Sequence, residues 1–115
     1  MNTKITKIDT GFFINVNKEE RIYSIDDDSG NMLAYVWRTF RIKQNHVGQF
    51  FLTIEYDLQY NPIRNIPNNE KQIIKIYYDN LVGTLTRDMQ TIFTDHIEER
   101  MQLPFYTNIL HVRNL

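Results

Sequence analysis

The stretch QFFLTIEYDLQY, Gln49 to Tyr60, carries the clearest secondary-structure signal in the sequence. Apolar and polar side chains alternate along it, which is the pattern of a β-strand whose successive side chains lie on opposite faces of a sheet. We therefore predict a strand with one face in the core and the other nearer to water. The core row of this strand consists of Phe50, Leu52, Ile54, Tyr56, Leu58 and Tyr60.

The stretch before it, MLAYVWRTFRI from Met32 to Ile42, is compatible with a helix or a strand. Part of it fits a helical stripe, but its aromatic and β-branched content and the turn residues on both sides favour a strand. As a strand it has two apolar faces, so we expect something to cover each of them. One face carries Leu33, Tyr35 and Trp37, and the other carries Met32, Ala34, Val36 and Phe40.

Shorter strands are predicted on either side of these two. GFFINV at 11–16, RIYSI at 21–25 and QIIKIYY at 72–78 are rich in aromatic and β-branched residues and are bounded by turn residues. An eleven-residue loop at 61–71 joins the strand that ends at Tyr60 to the one at 72–78. Because successive strands are separated by short polar turns, we expect an antiparallel meander.

The C-terminal third of the sequence changes to a helical period. Apolar residues recur about every 3.6 positions, which predicts a helix that begins near Asp79 or Thr84 and ends at Pro104. A closing strand follows at 106–114. The chain, 1–115, is therefore predicted as one α+β domain: an antiparallel meander sheet of five or six strands, with one long helix of the C-terminal half packed on one face and a closing strand.

The composition is that of a globular protein, with 42% hydrophobic and 23% charged residues in a chain of 115. The net charge is -1, so no overall field attracts nucleic acid or an anionic membrane. The absence of cysteine excludes disulfides and thiol catalysis. No signal peptide or membrane span is evident, so we expect a cytoplasmic protein or one incorporated into a particle. The richness in Asn, Ile, Lys and Tyr suggests a viral or mobile-element source.

Chemistry is suggested only by TDHIEERMQLP, residues 94–104. A small hydrolase or metal enzyme would use His96 with Asp95 or Glu99, but the sequence has neither the histidine spacing of a zinc site nor a G-x-S-x-G motif. The acidic residues fit the solvated flank of a helix, and His96 fits its apolar face as a core residue with one hydrogen bond. We assign no catalytic, metal or cofactor residue.

A nucleic-acid interpretation centres on YVWRTFRIK, residues 35–43. On one face of the predicted strand, Tyr35 and Trp37 would stack on bases while Arg41 and Lys43 hold phosphates. Arg38 falls on the opposite face, and the aromatic motif of an RNA-recognition sheet is absent. The alternative is a core strand with charged ends.

The predicted loop at 61–71 is the other candidate contact site, because it is long and contains two prolines. Ile63 and Ile66 flank Arg64, a pattern that suits contact with a partner. The alternative is that both isoleucines pack on their own domain.

These observations favour a non-enzymatic protein-binding or assembly module, either a subunit of a larger complex or a small inhibitor of a partner protein. The partner would be another protein chain, of the same or a different kind, and not a membrane. The expected partner-binding residues are Ile63, Arg64, Ile66, Tyr35 and Trp37. The alternative is a single-stranded nucleic-acid-binding domain that uses Tyr35, Trp37, Arg41 and Lys43.

Overall fold

A computed structural model describes residues 3–8, 15–92 and 105–109 of the chain. Four strands form an antiparallel sheet in chain order, and a fifth lies parallel to β4 at the edge. One helix, α1, separates β4 from β5 in the sequence. The fold is therefore α+β, with the helix in the C-terminal half. The elements are β1 (Thr3–Lys7), β2 (Glu19–Asp27), β3 (Met32–Gln44), β4 (Phe50–Tyr60), α1 (Asn68–Ile92) and β5 (Phe105–Ile109).

The long hairpin of β3 and β4 forms the middle of the sheet. Its register runs from Ala34 opposite Tyr60 to Gln44 opposite Phe50. At the turn, the side chain of Asn45 accepts the N–H groups of Val47 and Gln49, and Gly48 has a φ of 87°. The strands predicted at 21–25, 32–42 and 49–60 are confirmed, because alternation and turn chemistry are both local signals.

The prediction of a strand at 72–78 is wrong, because these residues belong to α1. A strand would place Ile74 and Ile76 on the same face, but Ile74 is fully buried while Ile76 is 61% exposed. The buried residues Ile74, Tyr78 and Val82 instead follow the four-residue spacing of a helical face. The composition of 72–78 favours a strand, but the burial of one face of a helix stabilises this segment more.

The helix also begins earlier than predicted, at Asn68 rather than near Asp79 or Thr84. The carbonyl of Pro67 accepts the N–H of Lys71 at 3.0 Å, which closes the first turn. Proline beside the first helical residue and an acidic residue in the first turn, Glu70, are both typical of a helix start. The predicted eleven-residue loop is accordingly shorter than expected.

Several predictions extend beyond the described residues. Most of the strand predicted at 11–16 lies outside them, as does the predicted helix end at Pro104. The predicted closing strand, 106–114, overlaps β5 and continues outside the described range. The predicted count of five or six strands included 72–78, so that count stays a prediction.

The register gives the sheet two distinct faces. On one, here called the covered face, the even-numbered residues at 34–40 of β3 and 52–58 of β4 lie in the core with α1, whereas Ile42 and Phe50 near the hairpin turn are exposed. The odd-numbered residues of both strands lie on the other face, here called the open face, on which the described helix α1 does not pack. The shared core comprises Ile22, Ile25, Leu33, Ala34, Val36, Phe40, Leu52, Ile54, Tyr56, Leu58, Ile66, Ile74, Tyr78, Val82 and Met89.

Candidate protein-binding face

The open face gathers the aromatic and basic residues of β3. Residues opposite one another in a sheet share a face, and the register places Tyr35 opposite Gln59 and Trp37 opposite Asp57. Arg41 and Lys43 continue the same row towards the hairpin turn. The structure therefore brings together the four residues that the sequence proposed for contact on this strand.

Arg21 is the residue of this face that the sequence analysis missed. It lies opposite Trp37 on the neighbouring strand β2. Its guanidinium carbon stacks over the ring of Tyr35 at 4.4 Å from the centroid and over the ring of Trp37 at 4.9 Å. The arrangement depends on the pairing of β2 with β3, which includes a register shift between Arg21 and Tyr23. A local sequence pattern carries no signal for such a shift.

Trp37 is held firmly although it is only half-buried. Its indole N–H donates to the side-chain oxygen of Gln59 at 2.7 Å, across β3 and β4. The indole ring thus has one hydrogen bond along its edge and a guanidinium over its face. An aromatic side chain fixed in this way presents area to a partner with little entropy left to lose.

The two basic residues near the hairpin turn share one carboxylate. Glu55 accepts from Arg41 Nε at 2.9 Å and lies 2.8 Å from Lys43 Nζ. Burial raises the pKa of Glu55, but the hydrogen bonds from Lys43 and Arg41 outweigh it, so the pKa lies below its ordinary value. Glu55 is therefore ionised at neutral pH, and it neutralises part of the basic end of the face.

On β1 to β4, the open face carries equal numbers of positive and negative side chains. Its cations on β1 to β4 are Lys4, Arg21, Arg41 and Lys43, and its anions are Glu19, Asp26, Glu55 and Asp57. The expectation that both faces of β3 are apolar thus holds only for the aromatic residues at the centre. Around them the face is polar, and this reduces the need for a permanent cover.

Arg38 lies on the covered face, as its position in the strand predicted. It pairs with Glu20 at 3.0 Å, and the two side chains are each only 9% exposed. Burial raises the pKa of Glu20, but hydrogen bonds from Asn15 and Arg38 hold it below its ordinary value. Arg38 is therefore committed to an internal ion pair and does not contribute to the open face.

The loop after β4 divides the predicted contact residues. Ile63 is 92% exposed, whereas Ile66 is 6% exposed and belongs to the core. The structure thus leaves Ile63 as a contact candidate and assigns Ile66 to the packing of its own domain. Arg64 turns towards the β2–β3 turn, where its guanidinium lies 3.1 Å from the carboxylate of Asp27.

Side-chain hydrogen bonds fix the conformation of this loop. The side-chain amide nitrogen of Asn61 donates to the carbonyl of Met32 at 3.0 Å, and its side-chain oxygen accepts the N–H of Ile63 at 3.0 Å. Asp27 accepts the backbone N–H of Asn31, which together with Arg64 lowers its pKa to about 2. The exposed Ile63 is therefore carried by an ordered loop.

The enzymatic candidates Asp95, His96 and Glu99 lie outside the described residues. Within the described ranges, no group of three or more His, Asp or Glu side chains is placed to hold a metal ion. The described helix, α1, has no apolar stretch long enough to cross a membrane.

Comparisons with protein-family models, with curated proteins and with solved structures give no match.

Proposed function

We propose that the chain is a non-enzymatic protein-binding or assembly module that docks on another protein chain through its open face. The observation that most supports this is the stacking of Arg21 on Tyr35 and Trp37. Tyr, Trp and Arg are the residue types that dominate binding energy at the centres of protein interfaces. Paired charges around such a centre form the polar rim of an interface.

The loop after β4, at one end of the sheet, is a second proposed contact. Ile63 is almost fully exposed, and the ion pair of Arg64 with Asp27 ties its loop to the β2–β3 turn. A rigid loop with an exposed apolar side chain binds without the cost of ordering the loop. We therefore include Ile63 and Arg64 in the proposed contact surface and leave Ile66 out of it.

The test compares two tyrosines that differ in the face on which they lie. Tyr35 is on the open face, and Tyr77 is on the outer side of α1, where it is 38% exposed. Partners would be recovered by co-purification from the native source and located by crosslinking. We expect Tyr35→Ala to lose the partner and Tyr77→Ala to retain it, with both variants folded by circular dichroism.

Two outcomes contradict the proposal. The first is equal recovery of the partner by both tyrosine variants, since the open face would then be irrelevant. The second is a wild-type chain that stays monomeric by light scattering and recovers no protein.

Single-stranded nucleic acid is the alternative occupant, because Tyr35, Trp37, Arg41 and Lys43 share one face. The charges disfavour it, since Arg41 and Lys43 are paired with Glu55 and the described cations and anions of this face on β1 to β4 are equal in number. Nucleic-acid binding depends on several cations that neutralise phosphates. Quenching of the fluorescence of the single tryptophan by an oligonucleotide at low salt, reversed by added salt, would support this alternative.

A further inference from the structure

The guanidinium of Arg21 is oriented, yet it makes no ion pair or hydrogen bond with any of the described residues. The other arginines of the central strands differ in this respect. Arg38 is paired with Glu20 at 3.0 Å, and Arg41 is paired with Glu55 at 2.9 Å. Among the described residues, the contacts that hold the guanidinium of Arg21 on the open face are those with the two rings.

Stacking on rings leaves the edge of a guanidinium free. Its five N–H donors lie in the plane of the group, and two of them match the two oxygens of a carboxylate. Because Tyr35 and Trp37 already fix the plane, Arg21 has less side-chain freedom to lose when it binds. The geometry is that of a preorganised anion-recognition group.

We propose, building on the protein-binding function above, that Arg21 binds a carboxylate of the partner protein. The partner presents an Asp or Glu side chain to the edge of the guanidinium. The apolar neighbours of that side chain pack on the exposed parts of Tyr35 and Trp37. Arg21 is then the residue that sets the register of the interface, because a bidentate carboxylate contact fixes both distance and angle.

The surroundings favour one carboxylate over a polyanion. Glu19 lies on the same face two residues before Arg21, and Asp57 lies opposite Trp37. A chain of phosphates or a run of acidic residues would have to lie beside these carboxylates, whereas a single carboxylate contacts only the guanidinium. We therefore expect an isolated acidic residue within an otherwise uncharged stretch of the partner.

The experiment uses a random peptide library displayed on phage as the probe and the full chain as the bait. We expect wild-type selection to enrich Asp or Glu at one fixed position. Replacing that residue by Asn or Gln in a synthetic peptide should weaken binding about tenfold or more, as expected for loss of a charge-assisted hydrogen bond. With Arg21→Glu as the bait, the same position should enrich Lys or Arg.

Two further variants test whether binding requires the guanidinium of Arg21 in particular. Arg21→Lys retains the charge but lacks the planar fork, so it should bind the selected peptides more weakly than wild type does. Arg87→Glu changes an exposed arginine on α1, away from the open face, and should select the same peptides as wild type. Circular dichroism of each variant separates loss of binding from loss of fold.

The proposal is overturned if no peptide is selected or if the selected peptides share no acidic position. It is also overturned if the selected peptides bind Arg21→Lys and Arg21→Glu as tightly as they bind wild type. Peptides that lose binding with Tyr35→Ala but not with Arg21→Glu would overturn the role of Arg21 and leave the protein-binding function intact. Binding of an oligonucleotide that depends on Arg21, without peptide binding, would overturn both.

Discussion

The covered and open faces of the sheet are made by the same strands, yet their side chains differ in polarity and in burial. Val36 and Leu58 lie opposite each other on the covered face and are fully buried. One residue later in β3 and one residue earlier in β4, Trp37 and Asp57 lie opposite each other on the open face and stay partly accessible. The difference teaches that an aromatic residue in a strand is not by itself a sign of a core, because a guanidinium and a few hydrogen bonds can cover its ring.

The largest difference expected between the faces concerns their ion pairs. Glu20→Ala leaves Arg38 buried without a counter-charge, and we expect a loss of about 3–5 kcal/mol in the free energy of unfolding. Glu55→Ala leaves Arg41 and Lys43 partly in water, so its loss should be about 1 kcal/mol or less. Urea titrations of the two variants measure both losses.

A double replacement sharpens this comparison. The Nε atom of Arg38 is buried and has no hydrogen-bond partner within the part of the chain that the structure describes. Replacing Arg38 by Met and Glu20 by Leu together should therefore restore most of the stability lost in Glu20→Ala, because the desolvation of both charges is removed. Equal losses for Glu20→Ala and Glu55→Ala would show that the two faces do not differ in burial as described.

A second comparison tests what covers the covered face. Ile74 and Ile76 are the same residue type, two positions apart on α1, but only Ile74 faces the sheet. We expect Ile74→Ala to lower the free energy of unfolding by about 2–5 kcal/mol and Ile76→Ala by about 0.5 kcal/mol or less. Similar losses at both positions would favour the strand that the composition of 72–78 suggests.

The error at 72–78 has a physical explanation. The segment has the side chains of a strand, and alternation places Ile74, Ile76 and Tyr78 on one side of it. The helix start was nevertheless present in the sequence, as Pro67 followed by two asparagines and Glu70. The period over a longer window, with Val82 and Met89 continuing the row of Ile74 and Tyr78, would have decided between the two.

The candidate site was only partly predictable for a different reason. The faces of β3 follow from alternation, so Tyr35, Trp37, Arg41 and Lys43 were placed together correctly from sequence. The stacking of Arg21 depends on which residue of β2 lies opposite Trp37. That register includes a shift, and register is set by packing and turn geometry across the whole sheet.

A third prediction separates the two isoleucines of the loop. Ile66→Ser removes a core side chain and should cost about 2–5 kcal/mol of unfolding free energy. Ile63→Ser changes a side chain that is 92% exposed and should cost about 0.5 kcal/mol or less, while weakening partner binding. Thermal melts and binding assays of the two variants make the comparison. A Ile63→Ser variant that melts like Ile66→Ser would remove Ile63 from the contact surface.

The fourth prediction concerns pH. The pKa of Asp27 is lowered from 3.8 to about 2 by the N–H of Asn31 and by Arg64, so its contribution to stability is present above its ordinary pKa. That contribution is lost as the pH falls towards 2. Asp27→Asn should therefore be less stable than wild type near pH 5, and the gap should narrow as the pH falls to 3. A constant gap in urea midpoints would contradict the pKa shift.

A small effect on stability is expected at the centre of the open face. Arg21→Leu removes a stacking contact from an exposed side chain, which should cost about 0.5–1 kcal/mol in the free energy of unfolding. A double-mutant cycle with Tyr35→Leu isolates the coupling of the two side chains, and Arg87→Leu on α1 is the matched control.

The single tryptophan supplies an independent readout of the same contact. Because Trp37 lies beneath the guanidinium of Arg21, its emission should shift in Arg21→Leu and stay unchanged in Arg87→Leu. A loss of stability of several kcal/mol in Arg21→Leu would mean that Arg21 is an internal structural residue. A small loss combined with a clear emission shift is the result expected of a recognition residue, since such a residue is ordered for contact and contributes little to the fold.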